Sequence, residues 1–196
     1  ITEQTRHIIN SGGISYDHSW KGYDHKLSLF ASLQHIDRSS YYGALRDPNA
    51  YGRTDDLTWV AGATYTWRIS KCFFAPAVFT GGIEYQENRL HDMMTGYKRD
   101  MSQDVRIASA FAQNEWKSEM INILVGFRLD KHNLISKPIF SPRVTLRYSP
   151  ITELGLRASY SSGYRAPQAY NEDLHIDVLN NTVSVIRLSD DLRPEY

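Results

Sequence analysis

Cysteine is almost missing from this 196-residue chain: Cys72 is the only one, so no internal disulfide can form and no cysteine pair at metal-ligand spacing exists. Net charge is missing too, with 22 Lys plus Arg against 22 Asp plus Glu, and the basic residues are scattered. That excludes a nucleic-acid binder working through a basic face, because phosphate recognition needs clustered cations. No apolar run approaches the roughly 18 residues a membrane-spanning helix needs, since a charge, amide, hydroxyl or glycine breaks every stretch. Residues 1–25 lack the basic-then-apolar layout of a signal peptide, and there is no initiator Met, as expected of a mature or excised segment. Catalytic signatures are equally scarce. The histidines, at positions 7, 18, 25, 35, 91, 132 and 175, form no HExxH pattern, and no GxSxG, Walker or dinucleotide-binding glycine motif occurs. No enzymatic activity, no cofactor and no resident metal are expected.

What the chain does have is aromatic residues, 13 Tyr, 7 Phe and 4 Trp, and a hydrophobic period of two. In 120–130, Ile121, Ile123, Val125, Phe127 and Leu129 alternate with Asn122, Leu124, Gly126, Arg128 and Asp130, the signature of a strand with two unlike faces. Leu57, Trp59, Ala61, Ala63, Tyr65 and Trp67 repeat the pattern, as do Leu27, Leu29, Ala31 and Leu33, then Ala77, Phe79, Gly81, Ile83 and Tyr85. Val144, Leu146 and Tyr148, and then Leu154, Leu156, Ala158 and Tyr160, continue it. With the less regular segments 6–20 and 104–116, this gives eight predicted strands and no helix. The connections alternate strictly in length. Residues 21–24, 69–73, 117–119 and 149–153 are short, whereas 37–56, 87–103, 131–142 and 164–196 are long and charged. In an up-and-down sheet this puts every tight turn on one rim and every elaborate loop on the other. Aromatics near strand ends, including Trp20, Tyr23, Trp67, Trp116 and Tyr148, suit a membrane interface. A soluble antiparallel sandwich also alternates apolar and polar residues, but its Greek-key crossovers do not enforce one rim of tight turns. A sheet facing a bilayer must pair all its backbone groups, and hence close into a barrel.

Specific motifs narrow the reading. Ser141, Pro142, Arg143 with Leu146, Arg147, Tyr148, then Leu156, Arg157, Ser159, Tyr160 and Gly163, Tyr164, Arg165, Ala166, Pro167, closely resemble a hairpin of TonB-dependent outer-membrane receptors. Phe111, Gln113, Glu115 and Trp116 match that family's F-x-Q-x-EW strand, and Leu192, Arg193, Pro194 and Glu195 its downstream (L)(K/R)PE element. The resemblance implies an all-β fold: an antiparallel, up-and-down transmembrane β-barrel segment of about eight strands, cut from a barrel of about 22. It implies further that residues 1–196 are a partial β-barrel domain, with the amino-terminal plug domain and the remaining strands absent. Its location would be the bacterial outer membrane. Its function would be import of a scarce nutrient, a ferric siderophore first and haem or cobalamin next, with TonB engaged through the absent plug domain.

On this reading the ligand contacts are Tyr164, Arg165, Tyr170, His175, Arg46 and Asp47, and the lumen-facing residues are Arg68, Arg128, Arg143, Arg147 and Arg157. A cationic wall would attract an anionic chelate, or pair with carboxylates of the plug. Tyr164 to Ala166 also has a structural reading, the proline after them fixing the bend from strand to loop. Arg53, Tyr51 and His91 are expected at the rim, within reach of ligand or lipopolysaccharide. Outer-membrane lipid is a further expected partner and nucleic acid is not. An isolated slice with two open edges is expected to self-associate. The competing readings are a self-contained small outer-membrane barrel with an adhesin or structural role, closed by pairing 6–20 with 154–163, and a soluble glycan-binding β-sandwich.

Overall fold

A computed structural model describes residues 2–43, 47–166, 168, 177–179, 182–184 and 195. Eight strands form one antiparallel sheet in strict chain order. They are β1 (Thr2–Trp20), β2 (His25–Gly43), β3 (Tyr51–Cys72), β4 (Ala75–Met94), β5 (Arg99–Lys117), β6 (Ile121–His132), β7 (Ile139–Ile151) and β8 (Leu154–Ser161). A small separate ribbon pairs β9 (Asp177–Leu179) with β10 (Thr182–Ser184). Two 3-10 turns, Pro48–Ala50 and Thr95–Tyr97, are the only helical elements among the described residues.

The register shows why alternation in sequence becomes one continuous surface. Direct partners in a sheet share a face, and one row of direct partners runs Tyr16, Leu29, Ala63, Ile83, Ala110, Leu129, Phe140 across seven strands. Two rows closer to the tight turns, the same face runs Trp20, His25, Trp67, Phe79, Asn114, Val125, Val144, Tyr160. This is the outer face. Its apolar side chains stay exposed, Ile83 at 64%, Tyr160 at 63% and Val125 at 44%. Opposite it, the inner face carries the row Arg68, Val78, Glu115, Leu124, Thr145, Ser159. No second layer covers either face along this belt among the described residues, so Trp59, Ile121, Val125 and Leu146 do not meet in a dry interior as a sandwich requires.

Stacked rings line the tight-turn rim: Tyr16, His18, Trp20, His25 and Tyr65 follow one another at centroid spacings of 5.3 to 6.4 Å, and Trp67 stacks on His25. Trp59 against Tyr85, eight residues along β3 from Trp67, forms a second aromatic level that marks the belt's other edge. The ten residue steps from Trp67 to Leu57, tilted as barrel strands are, rise about 25 Å, the height of an outer-membrane apolar band.

Two of the tight turns, β3–β4 and β7–β8, are tighter than the sequence indicated. The β3–β4 connection is only Phe73 and Phe74, with Phe73 at φ +61°. Gly22 at φ +65° takes the middle of three successive left-handed positions in the β1–β2 turn, between Lys21 at φ +51° and Tyr23 at φ +72°, and is the one of the three that does so at no steric cost. The long connections are shorter than expected, because much of 37–56 and 87–103 is strand: β2, β3, β4 and β5 continue well past the belt. Their charged outer-face residues read as loop, yet the strand alternation persists there with reversed burial. Leu90, Asp92 and Met94 on the inner face are buried, while His91 and Met93 on the outer face are exposed.

Candidate ligand-binding rim

The rim is built by two hairpin ends that dock on each other. The turn at Pro48–Ala50 begins with Asp47, whose carboxylate accepts from the Asn49 backbone N at 2.9 Å and side-chain Nδ2 at 3.1 Å. Asp47 N in turn donates to the Tyr41 hydroxyl at 3.1 Å. Gly96, in the neighbouring turn, lies so close to the Asn49 carbonyl that any Cβ would collide with backbone. Tyr97 then donates from its hydroxyl to the Tyr42 carbonyl at 2.5 Å, and Tyr42, Met94 and Tyr97 pack together.

Beneath this apolar contact sits a buried ionic cluster on the inner face. Asp92 accepts from Thr54 Oγ1 at 2.5 Å and pairs with Arg38 at 3.3 Å and Arg99 at 2.6 Å. Arg38 Nε also donates to Thr54 Oγ1 at 3.0 Å. The three charged side chains are at most 6% exposed, so each depends on the others for solvation. Lower on the same face Arg128 donates to Glu84 at 2.7 Å, Asp130 at 2.8 Å and Ser109 Oγ at 2.7 Å. Residue spacing did not reveal either cluster, since their members come from different strands.

The five arginines expected on the inner face all lie there by register. They are not equivalent. Arg128 is held by the wall's own carboxylates, and Arg68 donates to the Tyr23 carbonyl at 2.9 Å. Arg143, Arg147 and Arg157 make no ion pair within 4 Å with any described residue, and Arg147 faces Arg157 directly across β7 and β8. Two like charges so placed repel, which leaves this stretch of wall receptive to an anionic group.

Tyr164 packs on Ile135, Ile139 and Ala166, and Arg165 pairs through its backbone with Glu195, its N to the Glu195 carbonyl at 2.9 Å and the reverse bond at 3.1 Å. The two motifs that looked separate in sequence, around Tyr164 and around Glu195, are therefore joined. Next to them His132 is fully buried, accepting from Leu134 N at 3.0 Å through Nδ1 and facing Gln168 at 3.2 Å through Nε2. Burial holds its basicity below that of a free imidazole. Arg46, Tyr170 and His175 lie outside the described residues. Asp47 belongs to the docked-turn unit and Tyr164 with Arg165 to the β6–β7 side, so the structure brings the latter two together and assigns Asp47 to a different loop.

A family model described as "TonB dependent receptor-like, beta-barrel" matches residues 4–196. No curated protein matches. Among solved structures, the siderophore receptor PirA from Pseudomonas aeruginosa superposes with TM-score 0.78 at 13% identity, covering 99% of this chain and 35% of that one. PirA from Acinetobacter baumannii gives TM-score 0.71 at 19% identity, over 83% of this chain and 26% of the receptor. The ferric enterobactin receptor PfeA of Pseudomonas aeruginosa, in complex with enterobactin, gives 0.67 at 19% identity over the same shares. At these identities the likeness shows the fold, and the chain spans about a quarter to a third of the length of these receptors. Family match, strand order and the two-faced wall agree: this chain belongs to the TonB-dependent receptor β-barrel family, whose members are bacterial outer-membrane proteins.

Proposed function

We propose that the chain is part of the wall of a receptor that imports a scarce, bulky nutrient across the outer membrane, a ferric siderophore before haem or cobalamin. In the complete receptor a plug domain and further strands would accompany residues 1–196, and TonB would be engaged through that plug. The observation that carries the reading is the wall's division of labour: an exposed apolar belt outside, and inside it Arg143, Arg147 and Arg157, which have no ion pair among the described residues, below a rim whose loops are locked together. Cations on a wall attract an anionic chelate over distance. The likeness to two siderophore receptors and one ferric enterobactin receptor supports iron chelates as the first class to try.

Tyr164 and Arg165 are proposed as ligand-proximal, as are Tyr170, His175 and Arg46, which lie outside the described residues, with Asp47 as the residue that shapes its loop. The self-contained barrel is not favoured, since β1 and β8 stand at opposite edges of an open sheet and do not pair. The test is equilibrium binding to the purified full-length receptor of ferric catecholates, ferric hydroxamates, haem and cobalamin. Binding of a ferric chelate that weakens in Arg147→Gln/Arg157→Gln supports the proposal. Binding of haem or cobalamin alone, or of none of the four, overturns the siderophore assignment.

A further inference from the structure

At the tight-turn end of the inner face most cations are answered. Arg68 donates to the Tyr23 carbonyl, Lys117 pairs with Glu115 at 3.1 Å, and Lys26 pairs with Asp17 at 3.2 Å. Arg147 and Arg157 differ. They are direct partners across β7 and β8, and neither lies within 4 Å of a carboxylate of the described residues, Glu119 and Glu153 of the adjoining turns included. With Lys117 and Asn122 they make up one row of direct partners, the last that β5 to β8 all share before their turns.

The surroundings of this row are fixed. Ser149 N donates to the Met120 carbonyl at 2.7 Å, which ties the end of β7 to the β5–β6 turn, and the Ser118 hydroxyl closes that turn on the Ile121 carbonyl at 2.8 Å. Between the two turns lies a recess of about 410 Å³, lined by Arg147, Asn122, Ser149 and Thr152, with Glu119 its one acidic residue. Two guanidiniums directly opposite one another repel while nothing lies between them. An oxyanion bridging both removes that cost and gains charge-assisted, bidentate contacts. The pair also ends a series. Four residues up β8 from Arg157 stands Ser161, which faces Arg143, and four residues further stands Arg165, bridged to Glu195. Four residues of strand span about 13 Å.

We infer that Arg147 and Arg157, with the recess beside them, form a second anion site at the tight-turn end of the wall, which takes a polyanionic chelate after it has left the rim. The inference rests on the uptake reading and adds to it a place and a charge class. Short turns of outer-membrane barrels face the periplasm, so the site lies on the exit side. Its two cations favour a chelate with several negative charges over a neutral one.

Hexacyanoferrate(III), a compact trianion, is the probe, dialysed to equilibrium against the purified full-length receptor at low ionic strength. Arg147→Gln/Arg157→Gln should bind it about tenfold more weakly than the unmodified receptor. Arg89→Gln/Arg106→Gln removes the same charge from the outer face and should bind it as before. No binding by the unmodified receptor, undiminished binding by the inner variant, or an equal loss in the outer one overturns the inference. Amide exchange in the unmodified receptor places the site without a substitution. Added probe should slow exchange at 145–149 and 155–159 and leave 164–166 unchanged, whereas protection at 164–166 alone refutes a site on the exit side. The probe is none of the four nutrient ligands, so their titration decides the uptake reading separately.

Discussion

Asp92 is the residue on which the rim's inner face depends. It is 1% exposed and answers two arginines that are nearly as buried. Asp92→Ala would leave both without their carboxylate, and removal of one partner from a buried ion cluster costs about 3 to 5 kcal/mol. Faster amide exchange throughout 90–101 in the variant receptor is the expected result. His132 makes a prediction in pH. Its Nδ1 must be unprotonated to accept from Leu134, and burial depresses its pKa below the ordinary 6.5. The unfolded segment then takes up the proton first as pH falls. The stability it contributes is complete above about pH 6.5 and declines below it, toward and through the depressed folded value. Exchange of amides in 132–139, corrected for intrinsic rate, should therefore accelerate on acidification, and His132→Gln should flatten that dependence. At this scale the sequence was legible where the question is only which face a residue takes: that Arg68, Arg128, Arg143, Arg147 and Arg157 lie opposite the apolar face follows from period two alone. Asp92 with Arg38 was not, because the partners are 54 positions apart and only the register brings them together.

At the scale of elements, the two docked turns behave as one unit, and Gly96 is the place to separate them. A methyl group at this position meets the Asn49 backbone, which cannot rotate aside as a side chain could. Gly96→Ala should cost about 1 to 3 kcal/mol of local stability and expose 47–50 to proteolysis with the rest of the wall intact. Strand β6 tests the belt. Val125 is the middle one of its five apolar outer-face residues, so Val125→Arg should destabilise the membrane-inserted receptor by about 2 to 4 kcal/mol in a urea titration. The eight strands and their tight-turn rim were readable because one face meets a single apolar solvent and keeps its alternation clean. The strand extensions through 37–43 and 87–94 were not. There the outer face meets water and the inner face is buried with Arg38, Asp92 and Met94, so hydrophobicity no longer reports which side is covered.

As a whole molecule the chain is an open wall. Its order is linear, its edges β1 and β8 each have one neighbour, and its outer face exposes Ile14, Ile83, Leu156 and Tyr160. In water such a sheet would associate through both edges and faces, while in a complete barrel in lipid those same features are satisfied. What separates a membrane wall from a soluble sheet is therefore the solvent met by each face. Nitroxide labels placed singly at positions 121 to 130 of the full-length receptor in bilayers, with their collision rates with dissolved oxygen recorded, address that directly. High oxygen accessibility at 121, 123, 125, 127 and 129, with low values at the five positions between them, is the predicted result. A flat profile, or maxima on the even positions, would contradict the assignment of the outer face to lipid.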